Sequence, residues 1–188
     1  LFPVANGRSL GGGAAEYNYS LSQPTDDRFA QGRVDHRFSD RNSVFARYTI
    51  TEGTVDRVPL NTVPASRLLE TGRNQYVGAE WTSMASPSLF LSTRVAFSRS
   101  ASATLNRRTI ADIDSLSFVP GAPFGFLTVT GLTSSVGGDA RVPREDYLNN
   151  FQYTGSALWL RGRHSWKFGV STQRQQFNTF NALQQGGA

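Results

Sequence analysis

Segments of about ten residues in which apolar and polar side chains alternate recur along this 188-residue chain, and they constrain its fold more than any other feature. A strand sends successive side chains to opposite faces, so alternation of this kind builds a sheet with one apolar and one polar face. A helix would need apolar recurrence at three and four residues, which none of these segments shows.

Residues 28–38, RFAQGRVDHRF, place Ala30, Gly32, Val34 and Phe38 on one face and Gln31, Arg33, Asp35 and Arg37 on the other, with His36 interrupting the apolar side. Residues 43–51 set Val44, Ala46, Tyr48 and Ile50 against Arg47, Thr49 and Thr51, with Phe45 the exception. The same division holds in 74–83 (Val77, Ala79, Trp81 against Gly78, Glu80, Thr82) and in 89–98 (Leu89, Leu91, Val95, Phe97 against Ser92, Arg94, Ser98). It returns in 147–160 (Phe151, Tyr153, Ala157, Trp159) and after His164, where Trp166, Phe168 and Val170 oppose Lys167, Gly169 and Ser171.

The connections carry a second rhythm. SDRN (39–42), ASPS (85–88) and RGRH (161–164) predict tight turns joining strands in pairs, whereas 52–73 and 99–146 predict long loops. Residues 1–27 read as a Gly-rich loop with one short strand at EYNYSLS, residues 28–180 as six strands of an antiparallel up-and-down meander, and 181–188 as a truncated tail. Short links at one end and long links at the other are the arrangement of transmembrane barrels, while sandwiches space their turns more evenly.

Composition fits an all-β chain: 18 Gly for turns, 13 Phe for a pleated surface, and only 38% hydrophobic residues. No run of about 18 apolar residues exists, so no transmembrane helix is expected, but a barrel strand needs only about 9–11 residues. The net charge of +5 comes from Lys and Arg dispersed through the alternating segments, without a block that would mark nucleic-acid binding. With no Cys there are no disulfides and no thiolate sites. The opening LFPVANGRSL lacks an initiator Met and a signal-peptide pattern, as expected of a processed chain or a fragment.

The aromatic and charged residues point the same way. Phe38, Trp81, Trp159 and Trp166 gather near the tight turns, as a girdle at a membrane–water interface would. Arg33, Asp35, Arg47, Glu80, Arg94 and Lys167 fall on the polar face, where a hydrated barrel lumen accepts charges that a soluble core would not. A soluble or surface-attached sheet module, carbohydrate-binding or adhesive, would account for the alternation too. It needs a second layer over the apolar face, and the sequence offers no amphipathic helix or surplus strands to supply one.

Two longer motifs resemble a known family. DDRFAQGRVDHRFSDRNSVFARYT is similar to the strand–turn–strand signature of TonB-dependent receptors of the Oar-like kind, and GRHSWKFG resembles a hairpin further along the same barrels. PGAPFGFLTVTGL resembles the loop that precedes that hairpin, so the likeness covers most of residues 1–180 in the right order. The resemblance implies a fragment of a large, 22-stranded transmembrane β-barrel in the cell outer membrane. Its partners would be outer-membrane lipid, the remaining strands and plug of the same receptor, TonB acting through that plug, and an extracellular ligand.

No enzyme chemistry is expected. His36 and His164 are too few for a His-based metal site, and Asp35 and His36 are adjacent in a strand, so they face opposite ways. The carboxylates of 112–114, 139 and 144–147 match no calcium-loop spacing, and the glycines at 11–13 and 137–138 lack a phosphate-binding context. No cofactor, metal or catalytic residue is therefore assigned. The remaining candidate is recognition by the second long loop, with Arg107, Arg108, Phe124, Phe126, Arg141 and Arg144 as possible ligand contacts. The alternative is that these apolar residues pack within the loop itself.

Overall fold

The computed structural model describes residues 3–59, 66–130, 135–139 and 141–183. In chain order the strands are β1 (Ser9–Gly11), β2 (Ala14–Ala15), β3 (Thr25–Ser39), β4 (Asn42–Arg57), β5 (Ser66–Ser86), β6 (Leu89–Arg108), β7 (Leu127–Thr128), β8 (Ser135–Val136), β9 (Arg144–Arg161) and β10 (His164–Asn181). Among the described residues one 3-10 turn, Ile113–Leu116, lies in the link between β6 and β7. The six long strands form one sheet in the order β10-β9-β6-β5-β4-β3, antiparallel throughout, with β3 and β10 at its edges. The fold is thus an all-β antiparallel meander.

The turns have the chemistry that their sequence requires. Gly162 opens the β9–β10 turn with φ 59°, the positive value that a tight hairpin demands at its first central position. The turns at Asp40–Arg41 and Pro87–Ser88 have no positive φ, and each is accompanied by an irregularity in register, between Arg37 and Ser39 and between Met84 and Ser86. A bulge of this kind lets a turn of ordinary twist join two strands that would otherwise splay.

The strands run further than hydrophobic alternation indicates. Residues 52–57 and 66–73, expected as loop, are strand, paired from Glu52↔Arg73 through Arg57↔Leu68. The β6 ladder likewise continues through 99–108, and β9 begins at Arg144, so the second link spans 109–143 rather than 99–146. Along this extension apolar alternation stops while the main-chain ladder continues. Ion pairs take over along that extension: Arg73 meets Glu52 and Arg57 meets Glu70. Residues 60–65 of the first link, 131–134 and 140 of the second, and 184–188 of the tail lie outside the described residues.

The N-terminal expectation is reversed. Strands β1 and β2 form a small hairpin around Gly12 and Gly13 where loop was expected, while EYNYSLS is irregular. Asn6 holds it instead: its side chain donates to the Asn18 carbonyl at 2.8 Å and accepts from the Asn18 amide at 2.7 Å. Tyr17 and Tyr19, both exposed, stack on one another with ring centroids 5.4 Å apart.

Register also fixes an inclination. Followed along the rungs, the Pro87–Ser88 turn lies about three residues beyond the Asp40–Arg41 turn, and Gly162–Arg163 about two further. If those turns share one membrane surface, the strands lie about 40° from its normal, given a rise of about 3.3 Å per residue and a spacing of about 4.8 Å. Membrane barrels tilt their strands by about this much.

Candidate functional site

The pairing register carries the alternation of each strand across all six. Val34, Ala46, Ala79, Val95 and Tyr153 share one rung, and Tyr48, Val77, Phe97 and Phe151 share another, all on the same face. Among the described residues nothing covers this face: Val34 is 69% accessible, Phe168 56% and Val170 69%. A soluble protein does not leave such a continuous apolar surface in water. About nine residues per strand at the inclination above make a band some 23 Å tall, close to the ~25 Å outward band of membrane barrels.

The four expected girdle residues lie on this face or at its turn-proximal margin. Trp159 and Trp166 are directly opposite one another on β9 and β10, beside Leu89 of β6. Trp81 pairs with Val44 and Thr93, on the rung of Gly155, which puts it four residues further from the turn than Trp159; strand inclination reduces that offset. Phe38 sits at the bulge next to the first turn, its ring edge-on to His36 at 4.5 Å. A second, opposite rim escaped the sequence reading. Phe97 and Phe151 pack at 4.9 Å, and on the same rung the Tyr48 hydroxyl accepts a hydrogen bond from Gln75 at 2.7 Å. Only the register reveals that these aromatics line up.

The other face is polar and charge-paired. Arg33 donates to both Asp35 oxygens, at 2.8 and 2.7 Å, and lies over the Phe45 ring at 4.3 Å. Phe45, the apparent exception to the alternation, is thus a shelf for a cation. Arg47 stands over Tyr76 at 5.3 Å, and the Tyr76 ring in turn covers Gly78, where a Cβ would come within 2.7 Å of its hydroxyl. Glu80 accepts from Arg94 Nε at 3.0 Å and from Ser92 Oγ at 2.9 Å across the β5–β6 pair. Lys167 lies opposite Leu158 in a hollow of about 350 Å³ near the turns, which Arg37, Ser43, Thr82 and Ser156 also line. The six residues expected to line a lumen therefore share one face of the sheet.

The candidate ligand residues do not converge. Arg107 donates to Asp56 at 2.9 Å, Arg108 to Asp114 at 2.7 Å, Arg141 to Asp139 at 2.7 Å and Arg144 to Asp146 at 2.8 Å. Each is committed to a local carboxylate. Phe124 is buried with Ile113 and Val136, with Leu127 packed against them, so the loop carries its own small core, and Phe126 is half-buried. The centre of the arrangement is Asp56, which sequence reasoning missed. It receives Arg67 at 2.7 Å as well as Arg107, and Arg67 also donates to the Ser22 carbonyl at 2.6 Å. One carboxylate thereby ties the N-terminal segment to β4, β5 and β6. The signal was absent from the sequence because VDR at 55–57 reads as loop.

At the end of the link, Asp139 is pinned to β6 by two hydrogen bonds with the Asn106 side chain, at 3.0 and 3.1 Å. Its carboxylate also accepts from Arg141, which holds it below the usual carboxylate range. Among the described residues no group of His, Asp or Glu is placed to hold a metal ion.

The family model described as an outer membrane beta barrel domain matches residues 1–188. No curated protein and no solved structure matches the chain. The chain belongs to the outer membrane beta barrel domain family, and its apolar face is the surface that meets outer-membrane lipid.

Proposed function

We propose that this outer-membrane β-barrel domain is part of the wall of a TonB-dependent receptor that takes up a nutrient ligand, and that it makes and breaks no bonds itself. One observation carries the proposal: strands of 15 to 21 residues overshoot the apolar band on one side only and are capped there by a self-packed loop. About 9–11 residues suffice to cross a membrane, so the surplus raises a wall on the side of the long links. A receptor that recognises its ligand above the membrane uses such a wall; a simple pore does not need one. The likeness of GRVDHRFSDRN and GRHSWKFG to Oar-like receptors supports the same reading. In that barrel the unpaired edges of β3 and β10 would continue into neighbouring strands, to a 22-stranded total, around a plug that contacts TonB. A soluble adhesive or carbohydrate-binding module is disfavoured, since no described residues form a second layer over the apolar face.

The test uses the absence of Cys in this chain. Thr130→Cys in the full-length protein is expected to react with a membrane-impermeant maleimide on intact cells. Uptake of siderophore, peptide, oligosaccharide and cobalamin probes is then compared in cells with and without TonB. Uptake that needs both this protein and TonB supports the receptor; uptake indifferent to TonB would sink it and leave a passive barrel.

A further inference from the structure

The polar face of the sheet is not uniform from end to end. Near the tight turns it carries Arg33, Arg37, Arg47 and Arg94 on three successive rungs. The next three rungs away from the turns carry no Lys or Arg on any of the six strands. The middle one reads Phe29, Thr51, Asn74, Ser100, Leu148 and Phe177, apolar at both ends with amide and hydroxyl between. The Asn74 amide oxygen accepts from Ser100 at 2.6 Å and, on the rung nearer the turns, the Gln31 oxygen accepts from Thr49 at 3.3 Å. Among the described residues both amide nitrogens are left without a partner.

The third of these rungs pairs Gly53 with Gly72. Glycine inside a strand marks a bulge, a bend or a close approach to the backbone. The β4–β5 register is unbroken and neither glycine has a positive φ, so bulge and bend do not apply. At Gly53 the Asp27 carboxylate takes the space, 2.5 Å from where a Cβ would stand. At Gly72 no described atom comes within 4 Å of that position. This bare backbone is the floor of a hollow of about 610 Å³, which Asp27, Thr51, Asn74, Ser102, Thr104 and Asp146 line. Its charges nearly cancel: Asp146 accepts from Arg144 at 2.8 Å and from Thr179 at 2.6 Å, and Glu70 pairs with Arg57.

We infer that this hollow and the rung beside it bind a neutral oligosaccharide as the substrate class of the receptor proposed above, on which reading the inference rests. Phosphates, acidic peptides and anionic chelates call for a free cation on the wall, and these three rungs have none. A purely apolar ligand would leave the amides and hydroxyls without partners. An extended peptide has no edge to add to, because the main-chain groups of β4, β5, β6 and β9 are already paired in the ladder. A sugar ring has hydroxyl edges that donate and accept, which suit Asn74, Ser102 and Thr104, and apolar C–H faces, which suit the exposed rings of Phe29 and Phe177. Those two rings stand five strand spacings apart, about 24 Å along the sheet, so the ligand is a chain of sugar units.

The experiment probes the full-length protein, purified in detergent and without TonB, on an array of neutral, acidic and cationic oligosaccharides, with anionic ferric chelates and acidic peptides alongside. Neutral oligosaccharides should be retained, longer ones over shorter, and the charged probes should not. Gly72→Trp, which fills the hollow from its floor, should weaken the best neutral binder about tenfold or more. Gly32→Trp, at an equally open position on the lipid-facing side, should bind as wild type. Folding of each is checked by heat-modifiable gel mobility, and Asn74→Ala with Ser102→Ala, both exposed, should give the same loss if Gly72→Trp does not fold. Retention of charged probes only, or of no neutral oligosaccharide, overturns the inference, as does unchanged binding by a folded Gly72→Trp. Failure of the receptor reading looks different: neutral oligosaccharides bind the purified protein, but their uptake by cells is indifferent to TonB.

Discussion

The turn-proximal half of the sheet and the half beyond the membrane solve the same problem in opposite ways. In the first, hardly any side chain is buried: among described residues Ser83 is the exception, and β3 and β10 are exposed along their whole length. These strands have no protein layer over their apolar face because lipid takes its place. In the second, water surrounds the strands, and the buried residues collect there: Asp56, Val58, Ser66, Leu68, Ile113, Phe124, Val136, Val142 and Ala182. That half supplies its own core and its own charge network. The lesson is that a low-burial sheet is not an unstable one when its second layer is the solvent it folds in.

The contrast can be broken most severely within the band. Gly155→Arg places a charge near mid-bilayer and should cost about 2–4 kcal/mol, whereas Ser156→Arg, one residue away on the wet face, should cost little. Denaturant midpoints in lipid vesicles distinguish the two, and equal costs would mean that the faces are not different solvents.

In the outer half the expected damage is local. Asp56→Asn leaves Arg67 and Arg107 without their carboxylate and should cost roughly 2–3 kcal/mol, less than a fully buried pair because Arg107 is 61% exposed. Proteolysis should increase in the N-terminal segment and the 109–143 link while the barrel stays folded. Ile113→Ala, which empties part of the loop core, should cost about 2 kcal/mol and loosen the link alone, as read by hydrogen exchange. The smallest effect is the pH response of Asp139. Its carboxyl is held low by Arg141, so its contribution is present above the ordinary carboxylate pKa of about 4 and is lost as pH falls through its lower folded value. Exchange at the end of the link should rise only in acid, and Asp139→Asn should remove that dependence.

What the sequence shows follows the same division. Inside the band, a single strand must keep apolar and polar residues apart, so Val34, Val95 and Ala157 declare their face from parity alone. The tight-turn signals SDRN, ASPS and RGRH are likewise local. Outside the band, TEGTVDR and SRLLETGR show no alternation because both faces are wet, and their strand character rests on partners such as Glu52–Arg73 that are far apart in sequence. The same holds for the Asp56 cluster, whose members at 56, 67 and 107 meet only through the ladder.

The central claim is that one face of this sheet meets lipid and the other water. A single-cysteine scan along β9, positions 150 to 157, tests it in native outer membranes by spin-label accessibility to oxygen and to a water-soluble nickel chelate. Oxygen access should peak at Phe151, Tyr153, Gly155 and Ala157, and chelate access at Asn150, Gln152, Thr154 and Ser156, out of phase by one residue. Chelate access at both parities, or the reverse phase, would contradict the account.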